Sequence, residues 1–181
     1  MGLFDKHTKP FDFIKKNVNN DPLAPTRIKP DGTKVIEQNS QYGSIVYEIK
    51  TDGTVICMTY TKDNKLILDW ARRVNLEVGH SYNEDKKIVY EFQSYYDEND
   101  FKNLKRKTEN FYRYYDNGVK SFEIKLVTPG DVKTEIKYDE QGKQIEKIEI
   151  RGAVKTFYDG NDKPYKREID RGSGGIITEN L

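Results

Sequence analysis

The segment FKNLKRKTENFYRYY, residues 101–115, sets the cations Lys102, Lys105, Arg106, Lys107 and Arg113 beside Tyr112, Tyr114 and Tyr115. Cations that neutralise phosphates, next to rings that stack on bases, hold single-stranded nucleic acids. Arg72 and Arg73 extend the patch if their strand neighbours this one. The same residue types also serve protein recognition. Tyrosine and arginine are enriched at interface hot spots, and a sheet face offers about 800 Å² to a partner without a pocket. Asp97, Glu98, Asp100 and Glu109 crowd the same stretch, and 31 basic against 30 acidic residues leave a net charge of only +1. Such a balance provides no long-range attraction for a polyanion or an anionic membrane. The expected partner is therefore a protein first and a single-stranded nucleic acid second. In the blandest role, Lys105 to Lys107 form a wet loop or an edge strand, where lysine discourages sheet-to-sheet aggregation.

Catalytic chemistry has little to stand on. The chain has no Gly-x-Ser-x-Gly elbow, glycine-rich phosphate loop or His-Glu-x-x-His helix. His80 follows Gly79 and has Glu84 and Asp85 near it in sequence, which makes it a general-base candidate or else a surface histidine at a turn. Nitrogen and sulfur metal ligands are limited to His7, His80 and Cys57, without motif spacing. The acid-rich turns YDENDF and DGNDKPYKREID lack the EF-hand spacing and read as solvated turns. The expectation is a protein that is not an enzyme, with no metal and no cofactor.

Residues of these types must be positioned by something thin. Hydrophobic residues make up 35% of the chain and charged residues 34%, yet 13 tyrosines and 8 phenylalanines argue against disorder. Tyrosine buries a ring while its hydroxyl stays wet, which suits a fold with little deep interior. The single Cys57 excludes an intrachain disulfide and favours a reducing compartment. MGLFDKHTKPFDFIKK lacks the apolar core of a secretory signal, and Lys6 stands where a myristoylation signal has Ser or Thr. No apolar stretch approaches the roughly 20 residues that span a bilayer. A cytoplasmic chain without membrane contact is expected.

Turn signals punctuate the chain from residue 30 onward: Asp31-Gly32, Asp52-Gly53, Asp63-Asn64, Asn117-Gly118, Gln141-Gly142 and Asp159-Gly160. Such pairs suit type I′ hairpin turns. Between them the period is two. Ile45, Tyr47 and Ile49 share a face, as do Ile88, Tyr90 and Phe92, and Phe122, Ile124 and Leu126. LILDWARRVNLEV reads as one strand with Leu66, Leu68, Trp70, Val74, Leu76 and Val78 on one side, in preference to a helix. A Tyr-Asp pair recurs at residues 96, 115, 138 and 158, at steps of 19, 23 and 20 residues. Each step accommodates two short strands and two turns. The tyrosine covers a strand end, and the aspartate accepts turn N–H groups.

These patterns predict an all-β chain: an antiparallel meander of about nine to twelve strands, an open twisted sheet or a partly rolled barrel. Residues 1–25 form an N-terminal arm with a short helix around Phe11 to Asn17 and a linker. Residues 26–170 form the repeat-like β domain, and residues 171–181 a tail that is either flexible or adds a strand. Ile145 opposes Ile148 and Ile150, which favours the open sheet with apolar residues on both sides. A closed barrel with an apolar cavity would instead carry a small ligand.

YYDNGVKSFEI, KYDEQGKQIEKIEI and FYDGNDKPYKREI, within residues 95–170, resemble the bacterial variant of the MORN repeat. The resemblance implies iterated hairpins and, since some such proteins are antitoxin or immunity partners, a non-catalytic protein that blocks another macromolecule. The targets would be a bacterial toxin or a nuclease, and the source a bacterium or phage. The tyrosine, lysine and glutamate content also resembles spirochaete outer-surface proteins with single-layer sheets, although no lipobox is visible.

Overall fold

A computed structural model describes residues 27–100 and 102–181, so the expected arm and its helix lie outside the described residues, as does His7. The described chain is one antiparallel sheet whose spatial order repeats the sequence order. Its strands are β1 Arg27–Ile28, β2 Lys34–Ser40, β3 Gly43–Ile49, β4 Val55–Thr61, β5 Leu66–Arg73, β6 Leu76–Tyr82 and β7 Ile88–Tyr96. They continue as β8 Leu104–Tyr114, β9 Lys120–Thr128, β10 Val132–Tyr138, β11 Gln144–Arg151, β12 Val154–Tyr158, β13 Pro164–Asp170 and β14 Ile176–Asn180. β1 and β14 are not paired with each other, so the sheet is open and the barrel alternative falls away. Among the described residues, substantial contacts join only consecutive strands, which makes the sheet a single layer.

Fourteen strands exceed the nine to twelve expected. One reason is that LILDWARRVNLEV is a hairpin, not one strand. β5 ends at Arg73, Val74 sits at a φ of 47°, and β6 begins at Leu76. Val74 and Asn75 carry no turn signature, and the reversal puts Leu68 and Trp70 on one face with Leu76 and Val78 on the other. The tail adds β14, whose Ile176–Asn180 pairs with β13.

The turns also differ from the type I′ expectation. At residues 115–119, Gly118 N–H donates to Tyr115 C=O and Tyr115 N–H to Val119 C=O, both at 2.8 Å. Only Gly118 has positive φ, at 85°, whereas type I′ needs two such residues. This is a type I turn closed by a left-handed residue and a bulge. The pattern recurs with Gly32, Gly53 and Gly142, and with Asn64, Lys86 and Asp162 in the same role. Asp139 Oδ1 accepts the N–H groups of Gln141 and Lys143, and Asp159 Oδ1 those of Asn161 and Lys163.

Register shifts fall at Tyr60, Tyr82, Tyr96, Tyr114, Tyr138 and Tyr158, each the residue just before a turn. In each case the extra residue lies on the strand after the turn, Ile67, Val89, Lys105, Ser121, Ile145 or Tyr165, and this bulge deepens the local twist opposite the tyrosine. Every one of those pre-turn tyrosine hydroxyls finds a partner. Tyr82 donates to Asp69 at 2.7 Å, Tyr96 to Glu77 at 2.9 Å, Tyr114 to Ile88 C=O at 2.6 Å and Tyr138 to Glu123 at 3.2 Å. Tyr60 and Tyr158 reach Met58 Sδ and Glu149, each at 3.3 Å. Tyr96 lies at the opposite end of the strands from the other five, and in the Tyr115-Asp116 pair the shift falls opposite Tyr114, not Tyr115.

Among the described residues, the buried ones all lie between Thr33 and Tyr96. Ile36, Tyr47, Val55, Cys57 and Trp70 form the core cluster, with Ile45, Ile49, Leu68 and Phe92 packed against it. From residue 102 onward no described residue is buried. There, lysine, ring and carboxylate do the covering. Lys120 Nζ lies 4.1 Å from the Tyr112 ring centroid and 2.9 Å from Glu123. Lys147 lies 4.3 Å from the Tyr158 ring and 3.6 Å from Glu149, and Lys166 4.5 Å from Phe157 and 2.6 Å from Glu168. Each cation–ring contact and each exposed ion pair contributes only about 0.5–1 kcal/mol. Their number, added to an unbroken backbone ladder, replaces the missing interior.

This dependence on neutral tyrosine predicts alkaline sensitivity. Burial, with help from the carboxylates they bond, pushes Tyr82 and Tyr138 up to about 12, and burial raises Tyr114 and Tyr158 as well. A raised folded-state pKa means that the support is complete below the unfolded value of 10.0 and is lost as pH climbs through 12. Tyrosinate absorbance should therefore appear late and together with loss of the β circular dichroism signal between pH 10 and 12. Full ionisation near pH 10 with the sheet intact would refute it.

Candidate functional site

The residues expected to bind are split by the pleat. Cross-strand register places Lys107, Arg113 and Arg72 on one face and Arg106, Tyr112 and Arg73 on the other, while Lys105 is the unpaired residue of the β7–β8 bulge. β8 is an interior strand, so its lysines do not guard an edge. Two strands, β6 and β7, separate Arg72 and Arg73 from it. Most of the group is already engaged. Lys105 pairs with Asp97 at 3.0 Å, Lys107 with Glu109 at 2.7 Å and Arg73 with Asp52 at 3.7 Å. Arg72 is buried, with its guanidinium 5.0 Å from the Tyr96 ring. Arg113 lies over Phe122 at 6.0 Å. Tyr112 donates to Glu91 at 2.6 Å, and Tyr115 to Tyr138 C=O at 2.8 Å. The Tyr114 ring carries Lys87 at 5.2 Å.

His80 is neither at a turn nor beside Glu84 and Asp85. It lies within β6, with Asp69 of β5 and Glu91 of β7 as its register partners. Nδ1 is 2.7 Å from Asp69 Oδ1, whose other oxygen accepts the Tyr82 hydroxyl. These partners stand 11 residues to either side of His80 and become legible once the turns after Arg73 and Tyr82 are located. Cys57 is buried and its thiol is pushed up to about 11 by that burial, so it is not a thiolate at neutral pH. Among the described residues no group of three or more His, Cys, Asp and Glu is placed to hold a metal ion.

A large concavity lies elsewhere, on β2–β5 at the end where β2 turns into β3 and β4 into β5. It is a pocket of about 580 Å³ built on Ile45, Tyr47, Cys57, Leu68 and Trp70, with Tyr42, Tyr60 and Ile67 around it. The pleat explains the floor. Tyr47, Cys57 and Trp70 are register partners in one row across β3, β4 and β5. The row continues to Gly79, which has no side chain, and on to Phe92, whose ring leans over the glycine. Tyr42 at 81% exposure and Ile67 at 39% form the open part, with Asn39 and Ser40 beside them. None of its fourteen lining residues is charged. In a chain that is 34% charged, an average set of fourteen would hold about five. Its alternating apolar positions were visible in the sequence, but the gathering of four strands around them was not.

The fold and this site define an open, single-layer antiparallel β-sheet protein with an uncharged apolar pocket on β2–β5. A scan against protein-family models finds no match to this chain, and neither does a search of curated proteins. No helix among the described residues is long and apolar enough to cross a membrane.

Proposed function

We propose that this chain is a non-catalytic binding protein that blocks another macromolecule, most directly a protein, in the manner of an antitoxin, immunity protein or phage-type inhibitor acting on a toxin or nuclease. The observation that carries the reading is the uncharged pocket on β2–β5. Its volume of about 580 Å³ falls within the roughly 300–1,000 Å³ usual for binding sites. Burying a charge there without a partner is costly, so the occupant is an uncharged apolar anchor at the tip of a partner loop. The surrounding sheet provides the polar rim that closes around such an anchor.

Two exposed rim positions test this without threatening the core. Tyr42→Asp and Ile67→Lys bring a charge to the pocket and should leave the circular dichroism of the sheet unchanged. The tagged full chain should form a 1:1 complex with a protein from its native source, and Ile67→Lys should weaken that complex about 100-fold. Unweakened binding by both variants overturns the pocket as the anchor site. Salt-sensitive retention on polyuridine, lost when Lys105, Arg106 and Lys107 are changed to Ala, would move the function to nucleic acid.

A further inference from the structure

The opposite face of the sheet carries a second, smaller pocket of different character. It holds about 220 Å³ and is lined by His80, Glu91, Gln93, Thr108 and Asn110, with Val78 completing the wall. Register partners in one row, His80, Glu91 and Asn110, bring an imidazole, a carboxylate and an amide together across β6, β7 and β8. Both hydrogen bonds that Glu91 accepts land on Oε1, from Asn110 Nδ2 at 2.8 Å and from the Tyr112 hydroxyl at 2.6 Å. Asn110 spends its amide donor on that bond, and its Oδ1 is buried with no hydrogen-bond partner. His80 is held by Asp69 through Nδ1, so in the neutral ring the lone pair is on Nε2. The lining is therefore rich in acceptors and contains no lysine or arginine.

We propose that this pocket binds the guanidinium of an arginine side chain presented by a peptide or protein. A guanidinium offers five N–H donors in one plane, which suits a carboxylate with an amide bonded beside it. Glu91 remains charged to receive it. Burial works against ionisation, but hydrogen bonds from Tyr112 and Asn110, with the nearby Lys120, outweigh it and hold the carboxyl below its usual range. Lys120, the lysine whose charge acts on Glu91, is already committed to Glu123 at 2.9 Å and to the Tyr112 ring. The site lies on the other face from the apolar pocket and does not depend on the function proposed for it.

The test is a ¹H–¹⁵N titration of the full chain with N-acetyl-arginine amide, its lysine counterpart and its neutral isostere citrulline. Arginine should give saturable shifts centred on the Asn110 side-chain amide and on residues 91, 93 and 108. Lysine should bind at least tenfold more weakly and citrulline not at all. Glu91→Gln keeps an oxygen for Tyr112 and Asn110 yet removes the charge, and should abolish the arginine shifts while the rest of the spectrum stays folded. Asn110→Asp, which adds a carboxylate, should retain arginine binding. Equal response to citrulline, shifts that persist in Glu91→Gln, or a linear response spread over the surface would each overturn the proposal.

Discussion

Trp70→Ala should unfold much of this protein's margin and erase its partner binding together. The side chain is 3% exposed and sits between Cys57 and Gly79 in the row that floors the apolar pocket. Removing a buried tryptophan costs about 3–5 kcal/mol, against a typical total of about 5–15 kcal/mol. In a thick globule neighbours relax into such a hole. In this single layer the other buried side chains are few, and among the described residues none lies beyond residue 97. Urea titration should show the midpoint falling by at least a third, and the residual folded fraction should not capture the partner. A loss under 1 kcal/mol would mean that the β2–β5 cluster is not the core.

The opposite error, adding volume, should be nearly as damaging one strand away. At Gly79 a Cβ would stand 2.5 Å from Phe92 Cε1 and 2.9 Å from Trp70 Cβ. Its backbone is ordinary strand, so the objection is purely steric, because the two aromatic side chains occupy the space a side chain would need. Gly79→Val should cost about 3 kcal/mol, the upper end of overpacking, by prising Phe92 and Trp70 apart. Phe92→Ala in that background should return part of the loss, since the valine then finds the room the ring vacates. Additive loss in the double variant would show that the glycine matters for another reason.

How far the sequence could be read follows from which interactions are local. Period-two runs such as Phe122, Ile124 and Leu126, with the Asn-Gly and Asp-Gly signals, are local properties, and they yield an antiparallel meander. The same locality explains the errors. Val74-Asn75 reverses the chain with a valine in a left-handed conformation, which composition does not advertise. That missed turn hid the pairing of Asp69 with His80, and the pairing of His80 with Glu91 followed from a turn around Asp85 that was also unread. The basic and aromatic stretch at residues 105–115 looked like one patch because adjacency in sequence is easy to see. Alternation then sends its members to opposite faces, where Asp97, Glu109 and Glu91 already occupy several of them. The apolar pocket draws on residues 38 to 70 across four strands, and only the assembled sheet brings them together.

Trp70 is the sole tryptophan, and it lines the pocket proposed to receive the partner. Its fluorescence during titration with the captured partner, read as a difference from the partner's own emission, is thus the most direct measurement. The account predicts a saturable change in Trp70 emission at a 1:1 ratio that disappears with Ile67→Lys. A tight complex that leaves Trp70 emission unaltered would contradict it.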